Sequence, residues 1–123
     1  MPTSTILVED SKTIRETLIP TLAELADVEV IAIAETAADA DLALQQHAGW
    51  RLVVIDIFLK SGTGLEVLRF CHDRRPDQFA VVLSNYATDD MRERCRALGA
   101  DAVFDKSTEI EAFLDYCVSI GQR

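Results

Sequence analysis

The chain has 123 residues, of which 49% are hydrophobic, and its 12 basic and 21 acidic side chains give a formal net charge of −9 at pH 7. This length suits one compact domain spanning residues 1–123, and the apolar content is sufficient for a buried core, which excludes a disordered chain. The acidic balance disfavours binding to nucleic acids or anionic membranes, because both are held by basic patches.

The three cysteines, Cys71, Cys95 and Cys117, lie within helix-like patterns, where we interpret them as small apolar residues of the core. His47 and His72 stand apart, and no Cys/His spacing typical of a metal site is present. An odd number of cysteines, with no signal peptide and no long apolar stretch, predicts a reducing, cytoplasmic location.

A strand and an amphipathic helix are predicted at the start of the chain. The short apolar run Ile6–Val8 leads into the acids Glu9 and Asp10, after which a helix should begin. Pro20 lies inside the helical pattern and should kink or shorten the helix, because proline cannot donate a helical hydrogen bond. The apolar face of this helix is predicted to contain Ile14, Leu18, Leu22 and Leu25.

The next segments predict an edge strand, a helix and a buried strand. Val28–Ile33 is less uniformly apolar than the other strands, as an edge strand should be. Ala37–His47 predicts a helix. Leu52–Ile55 is wholly apolar and rich in β-branched residues, which is typical of a strand buried on both faces, and it ends at Asp56. The inward face of the helix predicted at Ala37–His47 contains Ala40, Ala43 and Leu44.

A turn-rich loop follows Asp56 and leads to a third helix and a fourth strand. Thr63 and Glu66 have the spacing of a capping box, so the helix should start there and continue to about His72. The apolar run Phe79–Leu83 predicts a strand, and it ends at the hydroxyl group of Ser84.

The last third of the chain repeats the alternation. Thr88, followed by two aspartates, should cap a helix that ends at Gly99. Ala102–Asp105 predicts a strand that leads into Lys106. Thr108 with Glu111 again has capping-box spacing and should start the last helix. That helix is predicted to bury Ile110, Phe113, Leu114, Cys117 and Val118. Strict alternation of strands and helices predicts an α/β fold with helices on both faces of a parallel sheet.

Polar groups follow four of the predicted strands: Glu9 with Asp10, then Asp56, Ser84 and Lys106. Strand ends are often polar simply because they meet solvent. Here, however, they are the groups that bind metal ions and phosphate, and the carboxyl edge of an open α/β sheet is where ligands bind. We therefore interpret this edge as a functional site.

This ordered set resembles the receiver domain of two-component response regulators, and the resemblance covers nearly the whole chain. Gly64, eight residues after Asp56, and the segment 97–101 ahead of the lysine strand reinforce it. The resemblance implies a flavodoxin-like, doubly wound sheet of five parallel strands in the order 2-1-3-4-5, with helices on both faces. In that order Asp10 and Asp56 end neighbouring strands.

Crowded carboxylates raise one another's pKa unless a cation intervenes, and Mg²⁺ suits an open site made of two or three carboxylates. We therefore expect Mg²⁺ at Glu9, Asp10 and Asp56, and the resemblance adds the backbone carbonyl of Phe58. Many relatives have Asp at the position of Glu9, so its longer side chain favours a water-mediated contact. Glu9 has an alternative role as a cap for the following helix.

The resemblance implies that Asp56 is the phosphoacceptor, since a carboxylate can attack phosphorus to form an aspartyl-phosphate. Lys106 and the Ser84 hydroxyl would then bind phosphoryl oxygens. Two simpler interpretations remain open at this stage. Lys106 could pair only with Asp105 or Glu109, and Ser84 could only cap a turn.

The chain departs from the family pattern at four positions. Ser107 and Lys60 replace prolines that relatives have after the lysine and four residues after the acceptor. Asn85 replaces a small residue, and Val103 replaces an aromatic residue that changes rotamer on activation. We expect any switch to rely on the loop after Ser84, because valine is stiff and has no polar tip to expose.

These observations predict a stand-alone signalling domain that a histidine kinase or phosphotransfer protein phosphorylates. Because the chain ends about one helix after Lys106, we expect output through a protein partner. Such a domain catalyses its own aspartyl phosphorylation and dephosphorylation and is not a metabolic enzyme. The alternative is a receiver-fold interaction module that does not depend on phosphorylation. A flavin-binding flavodoxin is disfavoured, because Glu9 and Asp10 would repel the flavin phosphate.

Overall fold

Five strands alternate with five helices along the chain, and the computed structural model describes all residues from 1 to 123. All strand pairs are parallel, and their order is β2-β1-β3-β4-β5. The expected flavodoxin-like sheet is therefore confirmed. The elements are β1 (Thr3–Val8), α1 (Lys12–Ala26), β2 (Val28–Ala34), α2 (Ala37–Gln46), β3 (Leu52–Ile55), α3 (Gly64–Phe70), β4 (Phe79–Ser84), α4 (Asp89–Ala97), β5 (Ala102–Asp105) and α5 (Ile110–Gly121).

The sheet has a buried centre and a partly exposed edge. Every residue of β3 is buried, as its apolar, β-branched sequence predicts, whereas β2 at the edge is only partly buried. Within the sheet, Ile55 of β3 pairs with Val8 of β1 on one side and with Val82 of β4 on the other. This register brings the carboxyl ends of the central strands to the same edge.

Two hydrophobic layers cover the two faces of the sheet. Helices α2, α3 and α4 pack on the face that contains Val8 and Val53, while α1 and α5 pack on the face that contains Leu7 and Val54. Cys71, Cys95 and Cys117 are buried and unpaired within these layers, which confirms the interpretation of the cysteines as core residues.

Helix α1 departs from the sequence prediction in two respects. Leu25 is 60% exposed, and Ala26 lies in the core in its place. Leu25 lies instead at a surface groove that Leu114 and Val118 of the last helix also line. The helix also continues for 15 residues through Pro20, so the proline does not shorten it.

Side-chain caps start four of the helices. The hydroxyl groups of Ser11, Thr36, Thr63 and Thr88 each accept the backbone N–H three residues further on. The caps expected at Thr63 and Thr88 are therefore confirmed. Gly99, just after α4, has φ of 99°, a left-handed conformation that ends the helix as predicted.

The start of α5 differs from the prediction, because Thr108 does not cap it. The carboxylate of Asp105 instead accepts the backbone N–H groups of Ser107 at 2.7 Å and of Thr108 at 3.1 Å. Because of this turn, the helix begins only at Ile110, and the side chain of the preceding residue, Glu109, does not cap it.

Arg74 ties together the chain segments at the edge opposite the carboxyl ends. Its side chain is only 10% exposed and forms an ion pair with Asp101 at 2.8 Å. Asp101 also accepts the backbone N–H of Ala80, so the turn between α4 and β5 is fixed to β4. The other acceptors of the guanidinium are the carbonyl oxygens of Cys71, Gln78 and Gly99.

No helix in this chain has both the length and the apolar character that a membrane crossing requires.

Candidate functional site

Three carboxylates meet at the ends of β1 and β3. Glu9 and Asp10 follow β1, and Asp56 follows β3, whose pairing with β1 aligns the two strand ends. One carboxylate oxygen from each of the three residues lies within 4.8 Å of the others. Glu9 is buried, whereas Asp10 and Asp56 are partly exposed. The structure therefore brings together the acids that the sequence assigned to one site.

Lys106 reaches this acidic cluster from the end of β5. Its Nζ donates to Asp56 Oδ2 at 2.9 Å and to Glu9 Oε1 at 2.5 Å, and its side chain is 11% exposed. The alternative pairing with Asp105 or Glu109 is wrong, because the ion pairs of Lys106 are with Glu9 and Asp56 instead. Lys106 is therefore a cation held within the site.

Ser84 ends β4 and is fully buried. Its Oγ accepts the backbone N–H of Tyr86 at 3.1 Å, so the hydroxyl does cap the turn that follows β4. The backbone N–H of Lys106 donates to the Ser84 carbonyl oxygen at 3.1 Å, which joins the hydroxyl-bearing residue to the lysine-bearing residue. Because an oxygen that accepts one bond still has its own hydrogen to donate, the cap leaves Ser84 able to bind an anion.

Glu9 has both of its carboxylate oxygens engaged. Oε1 faces Lys106, and Oε2 accepts the backbone N–H of Ser11 at 3.1 Å at the start of α1. The alternative role of Glu9 at the start of the helix is thus observed together with its place in the acidic cluster. Asp10 makes no hydrogen bond within the protein and is the freer ligand of the two.

Gly64 explains how α3 starts so close to Asp56. The Gly64 N–H donates to the Ile57 carbonyl oxygen at 2.7 Å, and a Cβ at position 64 would lie 2.3 Å from the Asp56 carbonyl oxygen. Only glycine allows this approach of the helix to the strand end. Phe58 lies in the loop that this contact closes, and its backbone forms a bridge with Thr63.

Residues 5–117 match the family model described as the response regulator receiver domain. The chain belongs to this family. Receiver domains bind Mg²⁺ in general, and they interact with histidine kinases and downstream effectors. No curated protein matches the chain.

Solved structures of receiver domains share the fold. A DNA-binding response regulator of the LuxR family from Staphylococcus aureus is 22% identical, with a TM-score of 0.84 over 96% of this chain and 98% of that chain. The BeF3-activated DrrB receiver domain is 23% identical, with a TM-score of 0.83 over 100% of both chains. A chain of the CheX-CheY-BeF3-Mg complex from Borrelia burgdorferi is 17% identical, with a TM-score of 0.85 over 98% of this chain and 90% of that chain.

In this receiver domain, the pKa shifts at the site follow from burial and ion pairing. Burial raises the pKa of Glu9, an effect that the hydrogen bond from Lys106 only partly offsets. Burial by itself would lower the pKa of Lys106, but the hydrogen bonds and negative charges of Glu9 and Asp56 outweigh it, so the pKa is raised. Lys106 is therefore protonated at neutral pH.

The donor atoms of the site suit a hard divalent cation. Three carboxylates and the carbonyl groups of the loop at Phe58 offer only oxygen ligands, and Asp10 has no competing partner. Mg²⁺ prefers oxygen ligands and retains several waters, so a partly open strand edge fits it better than a closed cage would. Glu9, Asp10, Asp56 and Phe58 are thus the residues that could hold the ion.

Arg15 supports the site in a way that sequence reasoning missed. Its guanidinium donates to the Glu9 carbonyl oxygen at 2.8 Å and to the Glu35 carboxylate at 3.0 Å, and the side chain is 15% exposed. It therefore fixes the main chain between β1 and α1. No motif in the sequence marks an arginine whose partner is a backbone carbonyl.

Proposed function

We propose that the domain is a phosphoacceptor, and that Asp56 receives a phosphoryl group from a histidine kinase or phosphotransfer protein. The observation that carries this proposal is the contact of Lys106 with Asp56, made by a lysine that lies two strands away from the acceptor. The carboxylate provides a nucleophile and the ammonium group provides a counter-charge at one point, and both side chains are only slightly exposed.

The acceptor carboxylate is held in a defined orientation. Asp56 Oδ1 accepts the N–H of Ile57 at 2.8 Å, and Oδ2 accepts from Lys106. In the reaction, a carboxylate oxygen forms a bond to phosphorus while the bond between phosphorus and the donor nitrogen breaks. Catalysis of this transfer consists largely of positioning and charge neutralisation, which the site is built to supply.

Each phosphoryl oxygen has a separate partner in this proposal. Lys106 would take one oxygen, and the Ser84 hydroxyl would donate to a second. Mg²⁺ held by Glu9, Asp10, Asp56 and the Phe58 carbonyl would neutralise charge at the third. For Ser84 to donate, the turn that it caps must follow it toward Asp56, which moves the segment from Asn85 to Thr88.

We propose that residues 1–123 act as one domain, with output through a protein partner. One sheet with a core layer on each face supports the single domain. We also propose a cytoplasmic location, which the three unpaired thiols support. A partner that prefers the moved loop would stabilise that state by its difference in affinity.

A second candidate function is a receiver-fold interaction module that binds its partner regardless of phosphorylation. Val103 favours this candidate, because it is buried and has no aromatic ring to reorient. Partner affinity measured with and without beryllofluoride, a phosphoryl analogue, distinguishes the two candidates. Only the phosphoacceptor requires a difference.

Intact-protein mass spectrometry after incubation with a small acyl phosphate tests the proposal. We expect one phosphoryl adduct on the wild type with Mg²⁺, none after chelation by EDTA, and none on Asp56→Asn. Asp73→Asn is the matched control, because Asp73 is fully exposed and lies outside the site. An adduct on Asp56→Asn equal to that on the wild type would show that Asp56 is not the acceptor.

A further inference from the structure

Arg92, in the first half of α4, joins three separate parts of the domain. Its Nε donates to the Ala87 carbonyl oxygen at 3.0 Å, and one terminal nitrogen donates to the Val103 carbonyl oxygen at 3.0 Å. The other terminal nitrogen contacts the Glu109 carboxylate at 2.5 Å. One side chain thus contacts the loop after β4, the strand β5 and the residue before α5.

Glu109 is fixed at the other end of this contact. Its Oε1 also accepts the backbone N–H of Asp105 at 2.9 Å, so the carboxylate is bound from β5 as well as from α4. The hydrogen bond from Arg92, followed by that from Asp105, lowers the pKa of Glu109, so this residue is ionised at neutral pH. Glu109 forms no helix cap, and its side chain is therefore committed to this network.

The loop contacted by Arg92 is the segment that the phosphoacceptor function requires to move. Ala87 lies three residues after Ser84, and the next residue, Thr88, caps α4. A second contact spans the same gap, because Ser107 Oγ donates to Asn85 Oδ1 at 3.3 Å. The loop after β4 is therefore joined to the region before α5 by side chains on both sides.

We propose that Arg92 transmits the position of the loop after Ser84 to the start of α5, and that its contacts stabilise the unphosphorylated arrangement. The inference rests on the proposed function of Asp56. When the Ser84 hydroxyl moves toward a phosphoryl group, the Ala87 carbonyl moves with the loop, and the bond from Arg92 Nε breaks. Arg92 then loses one of its three contacts. The guanidinium group is held less firmly, so it no longer fixes the position of the Glu109 carboxylate.

Linkage makes this inference measurable. A residue that stabilises only the resting state opposes ligands of the moved state, so its removal must tighten their binding. A residue that merely joins α4 to α5 in both states would change stability and leave that affinity unchanged. The affinity for a phosphoryl analogue therefore distinguishes transmission from simple reinforcement.

The experiment is a titration of the ¹⁵N-labelled domain with beryllofluoride and Mg²⁺, followed by NMR. We expect Arg92→Ala to bind about 3- to 10-fold more tightly than the wild type, the factor that corresponds to losing one or two ordinary hydrogen bonds of the resting state. Glu109→Gln should shift the affinity in the same direction by less. Arg96→Ala is the matched control, because Arg96 is exposed on the same helix and its side chain makes no hydrogen bond.

The same spectra report the path of the change. In the wild type, amide shifts should occur in the loop 84–88 and also at residues 108–112. In Arg92→Ala, the shifts in the loop should persist while those at 108–112 become small. Arg92→Lys keeps the positive charge but lacks the planar guanidinium group with its several N–H donors, so it should behave like Arg92→Ala.

The inference would be overturned if Arg92→Ala and Glu109→Gln bound beryllofluoride no more tightly than Arg96→Ala does. This holds even if the variants melt at a lower temperature. If Arg92→Ala does not fold, Glu109→Gln and Arg92→Lys decide the question by the same criterion. Failure of the wild type to bind beryllofluoride would refute the phosphoacceptor function and this inference together. Wild-type binding without dependence on Arg92 would refute this inference alone.

Discussion

Phe58 and Tyr86 pack against each other edge to face, with ring centroids 4.4 Å apart and an interplanar angle of 69°. Phe58 lies two residues after Asp56, and Tyr86 lies two residues after Ser84, so the pair joins the two loops that flank the acceptor. Each side chain is about half exposed. The two rings therefore form an apolar contact beside the site and offer no acid or amide that could orient a water molecule.

We predict from this contact that the phosphorylated domain is long-lived. Hydrolysis requires a water molecule in line with the bond between Asp56 and phosphorus, and polar side chains at the two positions should admit and orient one. Phe58→Asn and Tyr86→Glu should each accelerate decay by about tenfold, which corresponds to about 1.4 kcal/mol of barrier. Decay is followed by mass spectrometry after removal of the phosphodonor with Mg²⁺ present.

The control for this prediction is Phe70→Asn, which changes an exposed phenylalanine on α3 outside the site. Because the rings of Phe58 and Tyr86 touch, the decay rate of the double variant should increase by less than the product of the two single increases. Identical decay in the wild type and both single variants would show that these rings do not control access of water.

Gly64→Ala should destabilise the domain and reduce phosphorylation. The new methyl group would lie 2.3 Å from the Asp56 carbonyl oxygen and 2.8 Å from Ile55 Cγ2, and the backbone atom cannot move without displacing the acceptor. Overpacking of this kind costs about 1–3 kcal/mol, measurable by urea unfolding. Gly49→Ala is the control, because a Cβ there has no neighbour within 4 Å. Equal stability of the two variants would contradict the prediction.

Asp10→Asn should weaken Mg²⁺ binding more than Glu9→Gln does. Both changes remove one negative charge, but the Glu9 oxygens already bind Lys106 and the Ser11 N–H, whereas Asp10 has no partner in the protein. Isothermal titration calorimetry with MgCl₂, on variants shown to be folded by circular dichroism, measures the difference. A larger loss of affinity in Glu9→Gln would mean that Glu9 contacts the ion directly.

The cysteines should be unreactive in the folded domain. Burial raises the pKa of Cys71, of Cys95 and of Cys117, the last to about 12. At pH 8 Ellman's reagent should therefore label no thiol in the native state and three in guanidinium chloride. Rapid labelling of one thiol under native conditions would show that its site opens.

The same shifts imply a dependence of stability on alkaline pH. A thiol whose pKa is higher in the folded state than in the unfolded state binds its proton more tightly in the folded protein. Its contribution to the free energy of unfolding is therefore complete below the unfolded pKa of about 8.5 and is lost as pH rises toward the folded value. For Cys117 this window extends to about 12. Cys117→Ala should flatten the decline of the urea midpoint above pH 9, and an unchanged slope would contradict this assignment.

The sequence was most informative about elements whose environment is uniform along their length. The run Leu52–Ile55 is apolar on both faces, and only a central parallel strand provides that environment. The site followed from the same segments, because the ends of four strands carry the polar site residues and parallel strands present those ends at one edge. The strand order itself came from family resemblance, since alternation alone does not specify neighbours.

The misses have physical causes that a local pattern does not contain. Helical periodicity placed Leu25 on the apolar face of α1, but periodicity does not show how far the sheet covers the helix. Thr108 has capping-box spacing, yet Asp105 forms the competing turn and binds the N–H groups first. Arg15 and Arg92 hydrogen-bond to backbone carbonyl oxygens that lie 6 and 11 residues away in the sequence, and no residue pattern records such partners.

The ion pair between Arg74 and Asp101 determines where α4 is free to move. It fixes the turn between α4 and β5 to the amide of Ala80, and Asp101 also donates its own backbone N–H to the Ala80 carbonyl oxygen at 2.8 Å. The C-terminal end of α4 is thus a pivot, and any tilt of this helix must grow in amplitude toward Thr88. A protein that binds the first turn of α4 would contact a surface that is displaced by a large amount, whereas one that binds its last turn would contact a surface that hardly moves.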